Sequence, residues 1–168
     1  LKDPMHPIII PAENINAVEN NGKTTLRYLI KPQPHGTRPQ GLYTGTHKEY
    51  HGDIVFEYDN CVESEIIKVP YYKDEILFAK EVWMIQSMSN YDKTAKILFK
   101  NGNRNLVKVQ LTAELYNRFL KYSNKRGWLS PVFMPREIAR YVLRVTDVRA
   151  ERLQAITELD SSNEVMLA

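Results

Sequence analysis

A chain of 168 residues with 43% hydrophobic and 26% charged side chains, one cysteine, seven glycines and nine prolines is not collagen-like, disulfide-stapled or wholly disordered, and reads as one domain over residues 1–168. Cys61 alone forms no internal bridge, so a reducing compartment, the cytoplasm, is the expectation; no apolar run nears the roughly 20 residues of a membrane span, and no membrane partner is expected. The net charge of +3 conceals an asymmetry: residues 1–90 carry 9 basic and 12 acidic side chains, residues 91–152 carry 14 and 5, and residues 153–168 carry no basic and 3 acidic ones.

Leu1–Pro4 precede Met5 and read as a cloning or processing remnant. Ala12 to Asn21 predicts a short helix with Ile15 and Val18 inward, closed by Gly22. Thr24 to Ile30 is rich in β formers and predicts a strand. Repeated Pro and Gly between Lys31 and Tyr50 predict a long loop over 31–50. Strands at Asp53–Tyr58 and Val62–Val69 follow, and Glu75–Ile85 reads as a longer, buried strand.

The clearest local signal is Asn101-Gly102, a dipeptide that accepts the positive φ angles of a tight hairpin, between strands at Ala95–Lys100 and Asn103–Gln110. Ile97, Phe99, Val107 and Val109 take one parity and Lys96, Lys100, Arg104 and Lys108 the other, which predicts one apolar and one cationic face. Thr112 caps a helix running to about Lys125, with Leu115, Phe119 and Leu120 on its apolar stripe and Leu111 placed to staple against Tyr116. A strand at Ile138–Val148 separates Ala139, Tyr141, Leu143 and Val145 from Arg140 and Arg144, which face outward or into a cleft. A short helix near Ala150–Ile156 and a last helix opened by Thr157 and Asp160 complete the chain. This order predicts an α+β fold, a small mixed β-barrel with flanking helices. The basic stretch predicts a polyanion-facing surface where folding gathers its charges, and merely solvated faces where it does not.

Trp128-Leu129-Ser130-Pro131-Val132-Phe133-Met134-Pro135-Arg136, then Val145-Thr146-Asp147-Val148-Arg149-Ala150-Glu151-Arg152-Leu153-Gln154, resemble the signature of phage-type ASCH-domain proteins. Asn21 to Arg27 and Lys80-Glu81-Val82-Trp83 are similar to two further motifs of that family, in the same order. The resemblance covers about half of the chain and implies the barrel of the PUA-like superfamily, with a cleft that handles RNA or a nucleotide. The expected basic cleft is formed by Lys23, Arg27, Arg136 and Arg140; the hairpin lies outside the family's motifs, and strand parity alone extends the basic surface through Lys96, Lys100, Arg104 and Lys108, as it does through Arg144. One member type, an amidohydrolase acting on 4-acetylcytidine, uses a Lys, a Thr three residues later and a distant Glu. Lys23 and Glu164 match the first and the last, whereas the nucleophile position is Leu26, with Thr24 the neighbouring hydroxyl. A leucine supplies neither nucleophile nor proton, so a binding module outranks a hydrolase of modified nucleosides or a ribonuclease. A phage accessory protein that recognises another protein is a third expectation.

His47 and His51, with Glu49 between them, sit beside the Gly- and Pro-rich stretch without cysteine or a third convincing ligand, and read as surface residues rather than a zinc site. Neither a Gly-rich phosphate loop nor zinc-finger spacing is present, so no cofactor and no metal are expected. Tyr71, Tyr72, Tyr91 and Tyr122 are candidate stacking residues, each with half-buried packing as its ordinary role.

Overall fold

The structure is a computed structural model that describes residues 5–20, 25–35, 38–58, 64–101, 105–123, 127–151 and 164–166, with the main chain alone for Leu26, Arg38 and 164–166. The fold is α+β. His6–Ile9 forms β1 and Ala12–Asn20 forms α1; Thr25–Arg27 is β2, Arg38–Leu42 β3, Ile54–Glu57 β4 and Ser64–Ile67 β5. Ile76–Lys80 is β6, Trp83–Ser89 β7, Thr94–Phe99 β8 and Leu106–Gln110 β9, followed by α2 at Ala113–Ser123, β10 at Val142–Arg144 and β11 at Glu164–Met166.

These strands pair, among the described residues, as four small sheets: β1-β6-β10, β2-β11, β3-β4-β5 and β7-β8-β9. β1 runs parallel to β6 and β10 antiparallel to it, so the first sheet is mixed. None of the described helices is long and apolar enough to cross a membrane.

Three apolar clusters hold the elements together. The largest lies between the inner face of β7-β8-β9, α2 and the segment from Leu129 to Ile138, and includes Trp83, Ile97, Phe99 and Phe119. Thr112 caps α2 through its hydroxyl, which accepts the Leu115 N–H at 3.2 Å; the cap satisfies a donor the helix start leaves open. A second cluster joins Ile8, Ile10, Ile15, Leu77 and Ala79, with Tyr141, Leu143 and Val145 packed on it. A third joins Ile54, Phe56 and Val69.

Several expectations change. The stretch 31–50 is not a structureless loop: β3 crosses it, and a 3-10 turn follows at Lys48–Tyr50. Pro39 is tolerated there because β3 is an edge strand, and Gly41, at φ +125°, sits where the register shifts. Glu75–Ile85 is two strands, broken where Glu81 turns inward. Only Val142–Arg144 of the stretch 138–148 is strand, and Arg136–Ile138 is a 3-10 turn. Leu120 stands 45% exposed instead of joining Leu115 and Phe119. Gly22, Gly102, Arg104 and residues 152–160, with most of the helix expected near Ala150–Ile156 and the start of the last one, lie outside the described residues, while Ala150 and Glu151 are not helical.

The break at Glu81 is a polar joint between the two larger clusters. Arg140 donates from Nε to Glu81 Oε1 at 3.2 Å, from Nη2 to Glu81 Oε2, and from Nη2 to the Asn101 carbonyl at 2.9 Å. Its guanidinium lies 4.3 Å from the Phe99 ring centroid and 4.9 Å from that of Tyr141, one ring from each cluster. Both side chains are taken from water, at 6% and 2% exposure. Burial pushes the Glu81 carboxyl above the usual carboxylate range, while the Arg140 hydrogen bonds pull the other way.

Candidate nucleic-acid interface

The outer face of β7-β8-β9 follows from the alternation of its strands. Ile97 and Phe99 are buried and Val107 and Val109 pack on the same core, which turns Lys96 and Lys108 to solvent. Register then sets the rows across this face. Ser87, Lys96 and Lys108 stand opposite one another, and the next row is Met84, Leu98 and Leu106. Lys100 is exposed just beyond β8, its amide donating to the Val82 carbonyl at 3.0 Å.

A lysine directly across from a lysine is a repulsive cross-strand pair. One acid partly offsets it: Asp92, in the β7–β8 turn, lies 3.4 Å from Lys108 Nζ and accepts the Thr94 hydroxyl at 2.9 Å. Hydrogen bonds from Ser89 and Thr94, and then Lys108, draw the Asp92 carboxyl down to about 2. Asp92 therefore adds stability that is fully present above its unfolded value near 3.8 and is lost as pH falls through about 2. The expected outcome is a carboxyl titration midpoint near 2 by carbon NMR, and a weaker acid dependence of unfolding over that window in Asp92→Asn. A midpoint near 3.8 would contradict this geometry.

The other expected cations do not join that face. Arg140 is the buried partner of Glu81, a correction to its expected place in an open cleft: it precedes β10, so strand parity does not govern it, and Glu81 and two rings fix its direction. Arg144 is on β10, in a different sheet, 2.6 Å from Asp74. Arg136 is exposed in the 3-10 turn after the buried Pro135. Arg27 reaches Glu151 at 3.3 Å, and Glu151 also takes Arg149 Nε at 2.5 Å.

Lys23 and Thr24 lie outside the described residues, as does Arg104. β11 runs parallel to β2 and sets the main chain of Glu164 opposite Thr25 and that of Val165 opposite Leu26. In the loop after β3, His47 Nδ1 is 3.4 Å from Glu49 and His51 Nε2 meets the Gly45 carbonyl at 2.6 Å. No group of three His, Cys, Asp or Glu side chains suited to a metal occurs among the described residues.

Sequence reasoning missed one concavity. β2 ends at Arg27, and residues 28–31 and 67–70 line an open groove of about 520 Å3. Its signal was an apolar run, Tyr28-Leu29-Ile30, whose reading as strand hid the exposure of Leu29.

No family model, no curated protein and no solved structure matches this chain.

Proposed function

We propose that this chain is an RNA- or nucleotide-binding domain of the ASCH, PUA-like type, phage or prophage encoded and working in the cytoplasm. Its small sheets are arranged, on this reading, as parts of a PUA-like mixed barrel. The observation that carries the binding function is the exposed Lys96–Lys108 pair, in register on the solvent face with Lys100 nearby. Folding alone gains nothing from two ammonium groups set opposite each other. A phosphate backbone lying across the row neutralises both and releases its counterions. The carboxylate at Asp92 keeps the pair tolerable when no nucleic acid is bound.

The test separates folding from binding in a single substitution. Lys96→Glu turns a repulsive cross-strand pair into an attractive one, so unfolding free energy is expected to rise by about 0.2–1 kcal/mol. Affinity for labelled single-stranded RNA is expected to fall at least about tenfold, because one phosphate contact becomes a repulsion. Fluorescence anisotropy and urea unfolding read the two effects. RNA affinity left unchanged by Lys96→Glu would overturn the assignment.

A hydrolase reading draws on one observation, the pairing of β11 with β2, which sets the Glu164 main chain opposite Thr25 on the strand next to the Lys23 position. Leu26 at the nucleophile position leaves that arrangement without the hydroxyl such chemistry requires. Binding without turnover is the reading its own residues support.

A further inference from the structure

Lysines on a sheet face meet phosphates and leave bases unrecognised. The groove lined by residues 28–31 and 67–70 has the features a base requires. Its floor is firm: Val69 is buried, and Ile30 and Ile67 pack with it on the third cluster. The Val69 N–H donates to Asp53 Oδ1 at 3.1 Å, and the buried Asp53 also accepts the Tyr72 hydroxyl at 3.0 Å. The Ile30 main chain is held as well, its carbonyl accepting from Gln33 Nε2 at 2.6 Å. The shape is therefore formed before any ligand arrives.

Two large side chains present apolar surface to this groove, Tyr28 partly exposed at 44% and Leu29 largely exposed at 72%. The Tyr28 ring is backed by Tyr71 at 6.1 Å, and the Tyr71 hydroxyl donates to the Pro7 carbonyl at 3.0 Å. Burial and the neighbouring Tyr71 push the Tyr28 hydroxyl well above the usual phenol range, so it stays a neutral donor. Lys31 and Lys68 are both exposed at the lining, and neither has an ion-pair partner among the described residues.

We propose that this groove binds a nucleotide, its base against Tyr28 and Leu29 and its phosphate between Lys31 and Lys68. The inference rests on the nucleic-acid reading above and adds a second contact point to it. An open groove with one aromatic wall suits a flat ring whose edges stay wet. An alkyl chain of similar length needs enclosure on all sides, and this groove does not supply it.

The experiment titrates AMP, ribose 5-phosphate and dodecanoate into the full chain, following backbone amides by nitrogen-15 NMR. AMP is expected to shift the amides of Leu29, Ile30 and Val69 and to bind at least about tenfold more tightly than ribose 5-phosphate, since stacking is lost without the base. Tyr28→Ala is expected to weaken AMP about tenfold. Lys68→Glu, at an exposed position, is expected to weaken AMP and ribose 5-phosphate alike and supplies a second variant if Tyr28→Ala unfolds. Shifts that cluster elsewhere, equal binding of AMP and ribose 5-phosphate, or tighter binding of dodecanoate would overturn the groove assignment. If single-stranded RNA binds through Lys96 and Lys108 while AMP leaves the groove untouched, the groove fails and the RNA reading stands. If neither RNA nor AMP binds, both fail.

Discussion

Replacing Arg140 with alanine is expected to lower the unfolding free energy by about 3–5 kcal/mol, because it strands an ionised carboxylate in the joint between two cores. For a domain of this size that corresponds to a fall in Tm of roughly 6–20 °C. The Glu81 carboxyl, already raised by burial, rises further in the variant, so the deficit is greatest near neutral pH and shrinks as acid protonates Glu81. Replacing the pair together, Glu81→Leu with Arg140→Met, is expected to cost far less than Arg140→Ala alone, since no charge is left buried. Urea unfolding of the three variants at two pH values checks the prediction. A loss below about 1 kcal/mol for Arg140→Ala would mean that the guanidinium is not held as the structure has it.

Phe119→Ala is expected to cost a comparable amount, about 3–5 kcal/mol. Phe119 is fully buried, its ring centroid 5.5 Å from that of Trp83, and truncation opens a cavity where α2 meets β7. Leu120→Ala, one residue along the same helix, is expected to change stability by no more than about 0.5 kcal/mol, because Leu120 already faces water. Chemical denaturation of the two variants gives the contrast, and equal losses would contradict the orientation of α2.

The hairpin and α2 were legible because their signals are local. Alternation in β8 and β9 sorts Ile97 and Val107 from Lys96 and Lys108 whatever the rest of the chain does, and Thr112 caps α2 with its own hydroxyl. β1 escaped because its four residues include Pro7 and become a strand only by pairing in parallel with β6, some seventy positions away. β3 escaped because Pro39 and Gly41 argue against a strand unless it lies at an edge with a register shift. Arg140 shows the limit of parity: the alternation holds at Leu143 and Arg144 within β10, but two residues earlier Glu81, Phe99 and Tyr141 decide the direction instead. For the site, the Lys96–Lys108 face was readable and its register was not. The groove at Tyr28 was hidden, since the apolar run Tyr28-Leu29-Ile30 reads as strand and does not mark Leu29 for exposure.

In the proposed binding mode a phosphate backbone lies on the Lys96–Lys108 face. The most direct measurement is the salt dependence of affinity for a single-stranded RNA of about eight nucleotides, for the wild type and for Lys96→Ala with Lys108→Ala. The expected result is binding at about 50 mM salt, a steep linear fall of log affinity with log salt, and a slope shallower by about 1.4 in the double variant, from about 0.7 per phosphate contact. Absence of binding at about 50 mM salt, or equal slopes for the two proteins, would contradict it.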